Sequence, residues 1–269
     1  CFARQLILAE CRMLEDAEPG VLLGQRMPLH DLRVALRKLA VLLRAFRKPL
    51  ETTSAPRIEQ ALRPLGKKLG AARDLDVWLA FLNSHAPREQ DISGERWQAF
   101  LQKQAELKLR QKKAAARALT GAPYQKLKSA LQRLLQIEMP AAIHHIPAGS
   151  TERLAAKALR KALGRVREQH ALCRALDPEE SHQLRIAIRK ARYLADYFGG
   201  ALGGGAVARL GRSLKQMQSI LGRIHDGDVW SDMLRAQNRI PAGALLRSIR
   251  NERKTQQAHF KKAWSRFSK

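Results

Sequence analysis

The sequence predicts an all-α protein made of two related halves, and three observations carry that expectation. Ala, Leu, Lys, Arg, Glu and Gln abound, β-branched residues are few and only 5% of residues are aromatic, a composition that favours helix nearly everywhere. Apolar residues recur at the three- and four-residue spacing of a helix face through almost the whole chain. A stretch of the first half is written again 152 positions later. With 269 residues and 45% apolar composition there is material for a full core, in one large domain or two smaller ones.

Taken in order, residues 2 to 17 read as a first helix ended by Pro19-Gly20. A second runs from about Pro28 to Leu50. On it His30, Arg33, Arg37 and Arg44 share one narrow stripe, while Leu32, Leu36, Leu39, Leu42, Leu43 and Phe46 fall on the opposite side. At the usual rise the stripe is a line of cationic donors about 21 Å long. Thr52 to Pro56 form a loop, and a third helix covers about Ile58 to Leu82, where Gly70 permits close approach of a neighbouring helix. After a polar loop from His85 to Gly94, a long helix spans about Glu95 to Leu119, ended by Gly121-Ala122-Pro123, and Tyr124 to Ile137 form a short one. Pro140 to Ser150 is the best linker, which sets the expected halves at 1–140 and 150–269.

The second half runs in the same order: helices over roughly 152–175, 182–198, 206–235 and 243–267, with a glycine-rich turn at Gly199 to Gly205. His182, Arg185 and Arg189 repeat the stripe, and Leu184, Ile188, Ala191, Leu194, Ala195 and Phe198 repeat its apolar face. The third helices share a second signature, Leu69-Gly70-Ala71-Ala72-Arg73-Asp74-Leu75-Asp76-Val77-Trp78 against Leu221-Gly222-Arg223-Ile224-His225-Asp226-Gly227-Asp228-Val229-Trp230, at the same offset. Four or five amphipathic helices per half argue for two bundles packed as pseudo-symmetric partners.

Asp76 and Asp228 lie on the leucine side of their helices, and a carboxylate turned inward needs a cation. The His/Arg stripe of the second helix is the expected supply. Further basic lines run along the fourth helices, with Arg247, Arg250, Lys254 and Lys261 at stripe spacing and Lys103, Arg110, Lys113 and Arg117 as a looser counterpart. Faces turned inward about a pseudo-two-fold axis would bring these lines together at a basic central groove. Trp78 and Trp230 read as bundle core; His85, His144, His145, His170 and His259 read as surface or loop histidines.

The charge points to the partner. Fifty Lys plus Arg against 24 Asp plus Glu leave +26, far beyond the needs of solubility, so a polyanion or anionic surface is expected. Cys1, Cys11 and Cys173 suggest neither a disulfide framework nor a metal site, and a reducing, cytoplasmic location fits them. No run approaches the ~18 apolar residues of a membrane span, and no secretory leader is read. The opening Cys1 leads us to expect an upstream segment with room for another domain.

The His-x-x-Arg-x-x-x-Arg-Lys helix, followed by a Leu-Gly-x-x-Arg/His-Asp-x-Asp-Val helix and with the whole repeated, resembles the CHAD family, the conserved histidine α-helical domain, across essentially the whole chain. The resemblance implies two four-helix bundles related by pseudo-two-fold symmetry, a basic central groove, and non-catalytic binding of inorganic polyphosphate at polyphosphate granules in the cytoplasm, with no cofactor. Family members are also fused to CYTH triphosphatase domains. Carried over by motif, the binding residues are His30, Arg33, Arg37 and Lys38, with His182, Arg185, Arg189 and Lys190. Arg44, Arg73, Arg110, Lys113, Arg117, Arg192, His225, Arg247, Arg250 and Lys254 complete the expected set. Asp196 stands at the position of Arg44, His225 at that of Arg73 and Ser219 at that of Lys67, so the first-half stripe is expected to bind more strongly.

Polyphosphate has about one charge per phosphate and no bases to read. Arginine forks, lysine point charges and histidine donors along a line suit it. Two other functions compete. A nucleic-acid binder would show a helix-turn-helix, an RNA-recognition strand pattern or aromatics among its cations, and none is read. A phosphoanhydride hydrolase would show a Gly-rich phosphate loop, a dense acidic cluster or a nucleophile elbow, and these are not read either.

Overall fold

The leucine face of the first stripe is shut off from water: Leu32, Leu39 and Leu42 are 0% exposed and Leu36 and Leu43 only 2%. Its repeat behaves alike, with Leu184, Ile188, Ala191 and Phe198 at 0%. A computed structural model describes residues 2–85, 94–140, 150–173, 176–236 and 242–268. Among them are nine α-helices and no strand: α1 (Phe2–Leu22), α2 (Arg26–Ala45), α3 (Ala55–Ser84), α4 (Gly94–Thr120), α5 (Ala122–Arg133), α6 (Ser150–Leu172), α7 (Pro178–Phe198), α8 (Gly205–Arg235) and α9 (Gly243–Phe267). Most of the expected linker, along with His144 and His145 within it, lies outside the described residues, as does most of the loop after His85. No described helix is long and apolar enough to cross a membrane.

The chain divides into two compact units, one of residues 1–84 with 99–154 and one of 85–98 with 155–269. In the first, α1 packs along α2, α2 along α3, and α5 on α3. In the second, α7 packs along α8 and α8 along α9. The motif-bearing pairs α2/α3 and α7/α8 are thus neighbours in both units, as duplicated apolar faces require.

Pro19-Gly20 does not end the first helix. α1 runs on to Leu22 and stops at Gly24, whose φ of 71° is the left-handed conformation glycine adopts without strain. There Gly24 N–H donates to Val21 O at 2.9 Å and Gln25 N–H to Gly20 O at 2.8 Å, satisfying carbonyls that the helix end would strand. Gly20 serves packing, because a Cβ there would lie 2.3 Å from Pro28 Cγ. In the glycine-rich turn before α8, Gly203 and Gly204 take positive φ of 90° and 47°.

After α5 the chain widens into a π-helical turn, Leu134–Glu138. Glu138 accepts from Ser54 N–H at 2.6 Å and Ser54 Oγ–H at 2.7 Å, tying this turn to the start of α3, and Arg133 pairs with it at 3.0 Å. Burial works to raise the Glu138 pKa, yet these donors hold it below the usual carboxylate value. Cys11 and Cys173 are buried free thiols, and burial pushes Cys11 up to about 12.

The inward aspartates find their cations on a different helix from the one expected. Asp76, with a side chain 0% exposed, meets Lys108 Nζ of α4 at 2.8 Å, off the axis of a good hydrogen bond and so held mainly by charge. Asp228 accepts from Arg253 Nε of α9 at 2.8 Å, and Arg253 Nη2 also donates to Leu176 O at 2.6 Å. Residues two apart on a helix point some 200° apart, so Asp74, rather than Asp76, faces the stripe.

This pair predicts an asymmetry. Lys108→Met strands a carboxylate with no route to water and is expected to cost about 3 kcal/mol of stability. Asp76→Ala is expected to cost less, because Lys108 is 29% exposed and its stem reaches solvent. Urea denaturation of the two variants measures the difference; equal losses would contradict it.

Candidate anion-binding site

The site is built where the α2 stripe meets α3. Arg33 lies over Gly70, its Nη2 3.5 Å from where a Cβ would stand, so the glycine makes room for a guanidinium rather than for a helix backbone. The Arg33 side chain is 11% exposed and its Nη1 donates to Asp74 Oδ1 at a long 3.4 Å, while its Nε is buried without a hydrogen bond. Burial first, then the charge of Arg37, bring the Arg33 guanidinium down to about 10; Asp74 offsets this in part and Arg73 adds to it. His30 joins the cluster. Burial and then Arg73 lower its pKa, with Arg33 and Arg37 acting in the same direction. One unit thus holds an imidazole and three guanidiniums against two carboxylates, Asp74, itself largely in water, and Asp31, whose charge acts to raise the His30 pKa.

The second unit builds the same corner from α7 and α8, with His225 in place of Arg73. The rings of His182 and His225 lie 4.6 Å apart, and their Nδ1 atoms approach to 3.4 Å, a hydrogen bond that requires one ring to donate and the other to accept. Burial lowers both pKa values; Arg185 is the next cause for each, and His225 falls to about 4. Arg189 faces both histidines as a like charge.

The remaining expected residues are placed elsewhere. Lys38 turns to α1 and donates to Glu10 Oε1 at 3.1 Å. Arg44 pairs with Glu59. Arg192 donates to Gln218 Oε1 at 2.9 Å and sits 3.4 Å from Asp196, which gives that aspartate a partner on its own helix. Lys190 is exposed on α7. Arg110, Lys113 and Arg117 are exposed along α4, and Arg247, Arg250 and Lys254 along α9. Among the described residues no group of three or more His, Cys, Asp or Glu is arranged to hold a metal ion.

Two expectations about rings change. His170 is half-buried, its ring stacked on Trp264 with centroids 3.5 Å apart. Trp78 is core and donates its indole N–H to Gln104 Oε1 at 3.1 Å, whereas Trp230 is half-buried. Sequence reasoning missed Asp74, Lys108 and Arg253 as partners. Asp74 stood in the repeated motif and was legible there. Lys108 is answered by Phe260 and Arg253 by Leu101 at the repeat offset, so duplication carried no sign of either.

Against known proteins, a family model described as CHAD domain matches residues 5–235. The crystal structure of the CHAD domain from the plant Ricinus communis is similar at a TM-score of 0.72 and 21% identity, covering 96% of this chain and 86% of that one. PptA from Streptomyces chartreusis is similar at a TM-score of 0.75 and 16% identity, covering 98% of each chain. At these identities the likeness to both structures is one of fold. No curated protein sequence matches the chain.

The depressed histidines predict how stability follows pH. Between about pH 6.5 and about 4 the unfolded chain takes up protons that the native His225 refuses, so this contribution is complete above about 6.5 and is lost as pH falls through that window. Urea midpoints measured from pH 7.5 to 4.5 are expected to decline less steeply in His225→Gln than in the parent chain.

Proposed function

The chain belongs to the CHAD domain family, and we propose that it binds inorganic polyphosphate without cleaving it, through the His/Arg corners of its two units. The observation that carries this reading is Arg33. A guanidinium 11% exposed, crowded by Arg37 and Arg73 and joined at a long 3.4 Å to an exposed carboxylate, sits among more cations than anions. A phosphate oxygen brought to the corner would relieve that repulsion and accept charge-assisted hydrogen bonds. The second corner, His182, Arg185, Arg189 and His225, offers the same chemistry with one guanidinium replaced by imidazole.

A polymer suits the chain better than a single phosphate because the net charge of +26 far exceeds what two corners hold, with further exposed cations along α4 and α9. Those outlying groups steer and hold a flexible anion by charge, with the salt sensitivity of counterion release. The corners add position. By this reading the protein's place is at polyphosphate granules in the cytoplasm, and any further domain of the protein would be carried there.

Neutralising Arg37→Gln and Arg73→Gln is expected to weaken polyphosphate binding about tenfold for each, since a hydrogen bond to a charged group contributes about 1.5 kcal/mol or more. Lys126→Gln with Arg63→Gln removes the same charge from exposed positions outside the corners and is expected to change affinity little. Equal losses would mean that net charge alone binds. Duplex DNA and structured RNA should compete poorly at ~150 mM salt, and incubation with polyphosphate and magnesium should release no phosphate above blank.

Affinity is also expected to rise as pH falls below about 6.5. His30 and His182 are held neutral in the free protein, and a bound polyanion favours their protonated forms. A flat profile between pH 5.5 and 8 would remove them from that role.

A further inference from the structure

On the other side of α8 from His225 a groove of about 720 Å³ opens between α8 and α9, within the second unit. Arg223, which lines it, precedes His225 by two residues, some 200° around the helix, so the groove is separate from the His/Arg corner. Its rim carries Arg212, Lys215 and Arg223 from α8 and Lys262 and Arg266 from α9, all exposed, and no carboxylate is among the described residues that line it. Its floor includes Ile220 and Ala263, 8% and 6% exposed, so a ligand seated between the helices meets apolar surface below and cations around.

The floor also holds Gln256, a side chain 2% exposed whose Oε1 has no hydrogen-bond partner. Its orientation is settled by Glu252, whose carboxylate accepts from Gln256 Nε2 at 2.8 Å. The repeat shows what Oε1 lacks. Gln104, 152 positions earlier, accepts from the Trp78 indole at 3.1 Å. Gln256 has kept the acceptor, but the tryptophan equivalent to Trp78, Trp230, does not donate to it, and a buried acceptor left unmade costs free energy.

We propose that this groove binds a nucleoside polyphosphate, its base on the Ile220/Ala263 floor with an N–H donating to Gln256 Oε1, and its phosphates on the Arg/Lys rim. Inorganic polyphosphate meets only one of these three features, because at neutral pH it brings neither an N–H nor an apolar face. A sugar phosphate has donors but would bury hydroxyls against isoleucine and alanine. A purine base supplies a flat apolar body edged with N–H groups, and the groove volume lies in the range of small-molecule sites.

Calorimetric titration of the full chain with ATP and with GTP, alongside tripolyphosphate, tests the assignment. At least one nucleotide is expected to bind at one equivalent. Arg223→Gln with Lys262→Gln, both exposed positions, should weaken that nucleotide at least about tenfold, and Gln256→Leu about fivefold, the worth of one neutral hydrogen bond. Tripolyphosphate should be indifferent to Gln256→Leu, and Arg37→Gln with Arg185→Gln should leave nucleotide affinity unchanged while weakening polyphosphate. The inference does not rest on the polyphosphate reading. Failure of both nucleotides to bind, or binding indifferent to Gln256 and to the rim pair, overturns it and leaves the corners as they are.

Discussion

Like charge held close on an apolar scaffold is the constraint from which the other features follow. Arg33, Arg37 and Arg73 repel one another, and His30 is kept neutral in their company. Such an arrangement persists only because the opposite face of α2 is locked: Leu32, Leu36, Leu39, Leu42 and Leu43 are buried, at roughly 1.5–3 kcal/mol for each fully buried side chain. The leucines hold the cations where solvent alone would let them spread. A preordered donor set then loses little conformational freedom when an anion arrives.

The two units solve the same local problem with different residues, and the differences follow charge and size. Where the first uses Arg73, the second uses His225, which burial and Arg185 keep neutral, so the second corner carries less charge near pH 7. Each inward aspartate of the third-helix motif is answered from the last long helix of its unit, by Lys108 for Asp76 and by Arg253 for Asp228. The cation entered at a different position each time, because an ammonium on a flexible stem and a planar guanidinium reach a carboxylate from different places. Arg253 also clasps Leu176 O, so one side chain serves both the buried charge and the loop before α7. Gln104 and Gln256 diverged further, one closing on an indole and the other left facing a basic groove.

Much of this was legible in one dimension. Helix positions followed from apolar periodicity, and the glycine-rich turn before α8 sits where Gly203 and Gly204 take positive φ. Pro19-Gly20 misled because a proline and glycine at a helix end read as a stop, while here Pro28 of the next helix demanded the missing Cβ of Gly20. The stripe was visible as a set, but its members part company: Arg33, Arg37 and His30 gather against α3, whereas Lys38 and Arg44 are taken by Glu10 and Glu59. Neither carboxylate belongs to a motif, so nothing in the spacing announced those pairings.

The sequence by itself determined which faces would be dry, which would be cationic, and that the design was used twice, because periodicity and duplication are properties of residue order along a helix. Only the tertiary structure decided which cation meets which anion. Helical phase tells where a side chain points and not what the neighbouring helix brings to that point, so Asp74 on Arg33, Lys108 under Asp76 and the unclaimed oxygen of Gln256 had to wait until the helices were packed.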